Sequence, residues 1–177
     1  MLFRSSTEWA SNNTGNVDVI FAMDANALDT LAAGFKGRSF EIQSGTINAI
    51  NNPLFLSGNF IVRGGAKFIS SRTGSAAIAA TSTTPCPSIN LDLGSFVEMS
   101  GTDPRIDCVT FTNNGTVIYT NTAAGNTLQP TASGATNGAT SITSYKNIFL
   151  SGSAAKSIPV GQTITVSDTI KIGRAHV

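Results

Sequence analysis

Histidine is nearly absent from this chain of 177 residues, since the one copy, His176, is the penultimate residue. The rest of the chain therefore has no imidazole for a Ser-His-Asp triad, a general base or a metal site. The usual zinc signatures, Cys-x-x-Cys and His-Glu-x-x-His, are missing as well. The glycine-rich segment RGGAK at 63–67 lacks the spacing of a phosphate-binding loop and is read as a turn. We therefore predict no catalytic, cofactor-binding or metal-binding residues.

Charged residues are scarce. They make up 12% of the chain, and eleven basic residues are balanced by ten acidic ones. Because there is no basic patch, the sequence predicts neither nucleic acid nor an anionic membrane as a partner. Small uncharged residues supply the polar surface instead, and the 41% hydrophobic content is sufficient for one domain with a sizeable core.

Long apolar runs are also absent. None approaches the roughly 18 residues of a membrane-spanning helix, and the start, MLFRSS, lacks the pattern of a signal peptide. Taken literally, this predicts a cytosolic protein without membrane insertion. However, IGRAHV at 172–177 matches the translation of a common sequencing-library adapter, and we interpret it as a tail that is not native. The expected native part, 1–171, is then a fragment in which the lack of a signal peptide means little.

The two cysteines, Cys86 and Cys108, are separated by 22 residues. Repeats of a β-solenoid commonly run roughly 20 to 30 residues, so this spacing favours two thiols stacked on neighbouring coils. In an oxidising compartment, such a pair would form a disulfide. Two unrelated buried thiols fit the sequence equally well.

What the chain does contain is a recurring phrase, a short apolar or alternating run that stops at Ser-Gly. It occurs as FEIQSG at 40–45, LFLSG at 54–58, FVEMSG at 96–101 and IFLSG at 148–152. Each run has the length of one strand, and each Ser-Gly pair turns the chain without steric cost. The phrase therefore indicates short strands joined by tight corners.

The pattern is β from residue 38 onward, and the first strands follow one another too closely for crossover helices. Before it, the segment 24–35 predicts either a short helix or a capping turn. The low-complexity segments 70–87 and 121–140 are predicted to be loops. The predicted strands are 17–21, 40–43, 46–50, 54–56, 60–63, 67–70, 89–93, 96–99, 108–112, 116–120, 145–150, 157–160 and 163–166.

Two all-β architectures fit these strands: a right-handed parallel β-helix and an antiparallel β-sandwich. Asparagine pairs at 12–13, 51–52 and 113–114 lie between strands, where Asn readily takes the left-handed conformation of a corner. Asn114-Gly115 is also a hairpin signal and favours local antiparallel pairing. The continuous apolar triplets in the Ser-Gly phrases and the uneven strand spacing favour the β-helix.

One local group of acidic residues is a candidate for a catalytic or calcium-binding site: Asp92, Glu98, Asp103 and Asp107. A glycan-cleaving β-helix needs two or more carboxylates that converge on one face. Strand alternation directs Asp92 toward solvent, and Asp103-Pro104 is typical of the start of a turn. We therefore interpret the group as neither catalytic nor calcium-binding.

The last third of the chain resembles a known family. NNGTVIY at 113–119, YKNIFLSGSAAKSI at 145–158 and TITV at 163–166 are similar to a repeat of secreted surface proteins of Bacteroidota. In that repeat, a GTVxYN-like strand leads to YxNLxLSGSGxKTL and then to ITVxGxLxI. The resemblance implies an adhesin-like, extracellular parallel β-helix of the kind exported through the type 9 system. The spacer at 122–141 is longer than is usual there, and no second full repeat is visible.

These features together predict a non-catalytic, structural or adhesin-like segment of a secreted or cell-surface bacterial protein. We expect it to need no cofactor, to display its loops and to contact glycans or extracellular matrix. Two alternatives remain open: a fragment of a polysaccharide-acting β-helix enzyme, and a phage tail spike, with the active coils outside this chain.

Overall fold

The computed structural model describes residues 17–81, 84–102, 105–120, 126–127, 144–153, 156–157 and 163–173. All regular structure in these residues is β, and none of them is helical. In chain order the strands are β1 (Asp18–Ala22), β2 (Leu28–Thr30), β3 (Phe35–Gly37), β4 (Ser39–Ser44), β5 (Thr46–Asn48), β6 (Leu54–Leu56), β7 (Asn59–Val62), β8 (Lys67–Ser70), β9 (Ala76–Ala79), β10 (Cys86–Leu91), β11 (Phe96–Met99), β12 (Arg105–Ile106), β13 (Cys108–Asn113), β14 (Thr116–Tyr119), β15 (Asn126–Thr127), β16 (Ser144–Leu150), β17 (Lys156–Ser157) and β18 (Thr165–Ile172).

Successive strands lie in different sheets. Sheet A has the order β1-β4-β7-β10-β13, sheet B the order β2-β5-β8-β11-β14-β16-β18, and sheet C the order β3-β6-β9-β12, while β15 pairs with β17. All of these pairings are parallel. Because each strand pairs with its counterpart one turn later, the chain winds as a β-solenoid of about five turns. The predicted parallel β-helix is confirmed, and the antiparallel sandwich is wrong.

The coils differ in length because extra residues are inserted at their corners. Ser39 and Asn59, which are hydrogen-bonded across adjacent coils, are 20 residues apart, whereas the next neighbours, Asn59 and Ser88, are 29 residues apart. The strands on both sides of the longer coil still pair in register. An insertion at a corner therefore leaves the ladder intact, which explains the uneven strand spacing in the sequence.

Inward side chains form the core by stacking in rows along the solenoid. The inner row of sheet A is Val19, Phe40, Phe60, Ile89, and that of sheet B is Ile47, Phe68, Val97, Val117, Ile148, all buried. Ring contacts link the rows, because Phe60 lies 6.1 Å from Phe40 in its own sheet and 5.1 Å from Phe68 in the next sheet, centroid to centroid. Burial of these apolar rows is the main favourable term for the fold.

All four Ser-Gly pairs lie at corners, as predicted, but their glycines are required for different reasons. Gly45, between β4 and β5, has φ of 78°, a conformation that residues with a Cβ rarely adopt. Gly101 follows β11 and packs against the preceding coil, so that a Cβ there would overlap the Arg72 carbonyl group. The second reason depends on stacking and is not visible in a local sequence pattern.

The helical alternative for 24–35 is wrong. The segment contains a turn at Ala25 and Asn26, then β2 and the beginning of β3. Leu31 and Phe35 are buried, but Leu28 is 63% exposed, so these residues do not form one helical face. An isolated helix of this length is only marginally stable. As a strand, β2 instead gains backbone hydrogen bonds from its parallel partner β5.

The predicted loop at 70–87 is wrong in its middle part. All four residues of β9 are buried, and the strand extends sheet C between β6 and β12. Its sequence, AAIA, is apolar enough to be buried but too poor in β-branched and aromatic residues to indicate a strand. This segment therefore does not serve as a displayed loop, while the predicted loop at 121–140 lies outside the described residues apart from β15.

The Asn pairs mark corners but not in the way expected. Asn114-Gly115 does not form a hairpin, because β13 belongs to sheet A and β14 to sheet B, each parallel to the strand one coil earlier. At Asn51-Asn52, the left-handed conformation falls on the preceding residue, Ile50, with φ of 50°. The Asn48 carbonyl Oδ1 accepts a hydrogen bond from the Ile50 N–H at 2.9 Å and so holds this turn. The pair at 12–13 lies outside the described residues.

The two cysteines stack on neighbouring coils, as the 22-residue spacing predicts. Cys86 on β10 and Cys108 on β13 are register partners, and both side chains are completely buried. Both are free thiols in this structure. The stacking is confirmed, and the disulfide stays a prediction.

Candidate functional site: the outer face of sheet B

The acidic residues singled out in the sequence do not converge. Asp92 follows β10 at the corner between sheets A and B, Glu98 points outward from β11 in sheet B, and Asp107 is buried between β12 and β13. Asp103 lies outside the described residues. The three described carboxylates thus occupy three separate positions around the solenoid and do not form the paired arrangement that glycan cleavage requires.

Each of these carboxylates has a basic partner. Asp92 Oδ2 lies 3.2 Å from Arg63 Nη1, and Glu98 Oε2 lies 2.5 Å from Lys67 Nζ. Asp107 Oδ2 lies 2.9 Å from Arg105 Nη2. Among the described residues, moreover, no three His, Cys, Asp or Glu side chains are grouped as a metal site needs. The acidic residues therefore act as partners in ion pairs, most of which cross from one coil to the next.

Arg63 is the clearest example of a charge that connects coils. It leaves the corner after β7 and binds Glu41 of β4 at 2.7 Å on one side and Asp92 at 3.2 Å on the other. Hydrogen bonding to Glu41, and secondly to Asp92, raises the pKa of the Arg63 guanidinium above its ordinary value. The RGGAK segment is thus a corner with a bridging arginine, in agreement with its interpretation as a turn.

On the outer face of sheet A, small polar side chains bond to one another beside a second outward row that contains Ile20 and Ile61. Ser88 Oγ donates to Asn59 Oδ1 at 2.7 Å, and the Asn59 N–H donates to Ser39 Oγ at 3.1 Å. Asn90 Nδ2 donates to Ser88 Oγ at 3.4 Å. These groups satisfy one another along the solenoid axis, so this part of the face is a hydrogen-bonded ladder.

The outer face of sheet B is different, because it carries aromatic rings. By register, its two outward rows are Leu28, Thr46, Lys67, Phe96, Thr116, Asn147, Thr169 and Thr30, Asn48, Ile69, Glu98, Ile118, Phe149, Lys171, of which all but the buried Thr116 are exposed or half-buried. Phe96 and Phe149 are half-buried and lie two coils apart, which corresponds to about 10 Å along the axis. We call this surface, centred on these two rings, the aromatic face.

Polar groups surround the two rings. The Lys67–Glu98 ion pair lies beside Phe96, and Glu98 Oε1 also accepts a hydrogen bond from Thr120 Oγ1 at 3.2 Å. Lys171 Nζ lies 5.6 Å from the centre of the Phe149 ring, within the range of a cation–π contact. Such a surface offers flat apolar patches together with hydrogen-bonding groups of both kinds.

Sequence reasoning missed these two phenylalanines as surface residues. It treated 148–150 only as a continuous apolar triplet, whereas in the structure Ile148 is buried and Phe149 points outward. The signal that could have found them is strand parity: Phe96 precedes the buried Val97 and Phe149 follows the buried Ile148, so both have the outward phase. A large ring at an outward position of a strand is the kind of residue that contributes to binding.

Fold and surface together define the class of this protein as a parallel β-solenoid that carries a hydrogen-bonded polar ladder on sheet A and the aromatic face on sheet B. Comparison with protein-family models, curated proteins and solved structures gives no match for the chain. In the described part of the chain, no helix is both long enough and apolar enough to cross a membrane.

Proposed function

We propose that this chain is a non-catalytic, adhesin-like structural segment of a secreted or cell-surface bacterial protein, and that it contacts glycans through the aromatic face. The observation that carries the proposal is the pair of half-buried rings, Phe96 and Phe149, on the outer side of sheet B. The resemblance of the last third of the chain to Bacteroidota surface repeats supports the localisation.

The spacing of the rings supports a sugar chain as the ligand. The C–H faces of pyranose rings stack on aromatic side chains. Phe96 and Phe149 are two coils apart along the axis and two residues apart along the strand, so their backbones are about 12 Å apart, on the order of a disaccharide unit. A parallel sheet holds both rings at a fixed spacing, so little ordering is needed on binding. The nearby Lys67–Glu98 pair supplies a donor and an acceptor for sugar hydroxyls.

The ion pairs support a structural role for the charged residues. Asp92, Glu98 and Asp107 are each bound to a basic side chain, and they face different sides of the solenoid. A general acid for glycoside cleavage would need a raised pKa and a second carboxylate within reach. We therefore propose that Asp92 and Glu98 stabilise the stacking of coils, that Asp107 holds Arg105 within one coil, and that none of the three catalyses a reaction.

The proposal is tested by measuring binding to a panel of soluble neutral oligosaccharides with isothermal titration calorimetry. We expect at least one oligosaccharide to bind, and Phe96→Ala and Phe149→Ala each to weaken the affinity by about tenfold. Ile61→Ala, on the outer face of sheet A, is the matched control and should leave the affinity unchanged. Binding that survives both phenylalanine changes, or no binding to any member of the panel, would contradict a glycan-contacting aromatic face.

A further inference from the structure

We propose that Cys86 and Cys108 form a disulfide that fastens β13 to β10, and that it forms while the protein folds in the presence of a low-molecular-weight disulfide. This inference does not depend on the glycan proposal. It concerns a covalent link between two coils of the solenoid.

The register of sheet A brings the two residues to the distance a disulfide needs. Cys86 and Cys108 are direct partners in the parallel pair β10–β13, and the Cys86 N–H donates to the Asp107 carbonyl at 2.8 Å, which fixes this register. Neighbouring strands are about 4.8 Å apart, and disulfide-linked Cα atoms are usually about 4.4 to 6.8 Å apart. Both side chains are buried in the same core cluster, so neither has to leave solvent to reach the other.

The position of the pair gives the link a mechanical role. Among the described strands, β13 is the last of sheet A and therefore pairs on only one side, with β10. In a solenoid each coil is stabilised only by its neighbours, so a strand at the end of a sheet opens more readily than one in the middle. A covalent bond between β10 and β13 holds this strand where its hydrogen-bonded pairing is one-sided.

The chemistry is thiol–disulfide exchange with an oxidant such as oxidised glutathione. The thiolate of one cysteine attacks a sulfur of oxidised glutathione, forms a mixed disulfide and expels one glutathione thiolate. The thiolate of the second cysteine then attacks the protein sulfur of the mixed disulfide and expels the other glutathione. Two electrons pass from the cysteines to oxidised glutathione, and the two thiol protons end on the two released glutathione molecules.

The folded, reduced protein resists this reaction, so the link has to form before the coils close. Neither sulfur is accessible, and Cys86 Sγ is 3.1 Å from the Gly58 carbonyl oxygen. Burial raises the pKa of Cys86 to about 11, and burial together with the nearby Cys86 and Asp107 charges raises the pKa of Cys108 to about 12. Only the thiolate attacks, so exchange is slow after folding and fast in the open chain.

The test begins with denatured, reduced protein that is refolded in a mixture of reduced and oxidised glutathione. The product is then unfolded in a denaturant that contains iodoacetamide, which alkylates free thiols, and is analysed by mass spectrometry. The expected product is lighter than the reduced protein by two hydrogen atoms, carries no alkyl group and yields a Cys86–Cys108 linked peptide. Folded, reduced protein placed in the same mixture should remain doubly alkylatable over the same time. Two alkylated cysteines, or two stable glutathione adducts, after refolding would overturn the proposal.

Amide hydrogen exchange tests the role of the link, and β1, at the opposite edge of sheet A, provides the internal control. We expect the disulfide to slow exchange at β13 by about tenfold or more relative to the reduced protein, with a much smaller change at β1. Circular dichroism should show the same β content in both forms. If oxidation changes the protection of β1 and β13 equally, the fastening role is refuted even if the disulfide forms.

Discussion

Replacement of Phe60 by alanine should disrupt the solenoid far more than replacement of its chain neighbour Ile61. Phe60 is completely buried, and its ring lies 6.1 Å from that of Phe40 and 5.1 Å from that of Phe68. Ile61 points outward from the same strand and is half-buried. A comparison of Phe60→Ala with Ile61→Ala therefore isolates the contribution of core packing, because both residues lie on the same strand.

The expected magnitudes follow from this difference in burial. Removing a buried phenylalanine side chain costs about 3 to 5 kcal/mol, because transfer energy and ring contacts are lost and a cavity remains. The outward Ile61→Ala change should cost about 1 kcal/mol or less. With a urea m-value of about 2 kcal/mol per molar, Phe60→Ala lowers the unfolding midpoint by roughly 2 M and Ile61→Ala by about 0.5 M or less.

Urea unfolding followed by far-ultraviolet circular dichroism measures both midpoints. A shift at least about three times larger for Phe60→Ala agrees with the inward row of sheet A. If the two variants shift the midpoint equally, or if Ile61→Ala is the more harmful, the parity of β7 is wrong and with it the stacked core.

Four further outcomes follow from the structure. The hydrogen bond from Arg38 lowers the pKa of the Asp18 carboxyl in the folded state. In thermal melts across pH, the wild type should therefore be more stable than Asp18→Asn above about pH 4, and this difference should disappear below that pH. The buried thiols affect stability at alkaline pH, because their pKa values are raised to about 11 and about 12 in the folded state. In the same melts, the reduced protein should lose stability above about pH 9, and a Cys86→Ala/Cys108→Ala variant should lose less. Ile50→Gly should raise the free energy of unfolding by about 0.5 to 1 kcal/mol, because it relieves a positive φ at a half-exposed β-branched residue, whereas a loss of stability in urea titration would contradict that strain. Gly101→Ala should destabilise by more than about 2 kcal/mol through overlap with the Arg72 carbonyl, while Gly74→Ala, with φ of 69° and open space around it, should cost about 1 kcal/mol; equal costs would argue against the close approach of the two coils.

The sequence was sufficient for the class of fold and for most strand positions. Strands such as β6, β8 and β11 have the predicted bounds, because their short apolar runs end in residues that favour corners. The 22-residue spacing also predicted that Cys86 and Cys108 stack. These successes share one cause: in a solenoid, the local pattern of each coil and its place in the stack agree.

The failures arise where stacking overrides local preference. β2 and β9 are strands because the neighbouring coil offers a ladder, although LDT and AAIA have weak β preferences of their own. The left-handed corner falls on Ile50 and not on an asparagine for the same reason. The aromatic face was missed because two rings from different coils become neighbours only when the register is known.

The central claim, parallel coils stacked in register, is tested most directly by electron–electron distances between spin labels along one outward row of sheet A. Ile20, Glu41, Ile61, Asn90 and Thr112 follow one another in this row. The labels are placed in a Cys86→Ala/Cys108→Ala background. Labels at Ile20 and Thr112 span four coil spacings, a backbone separation of about 19 Å, and labels at Ile20 and Ile61 span two, about 10 Å. Each pair should give a narrow distance distribution. Distances that do not double between the two pairs, or a broad distribution for either one, would contradict the solenoid.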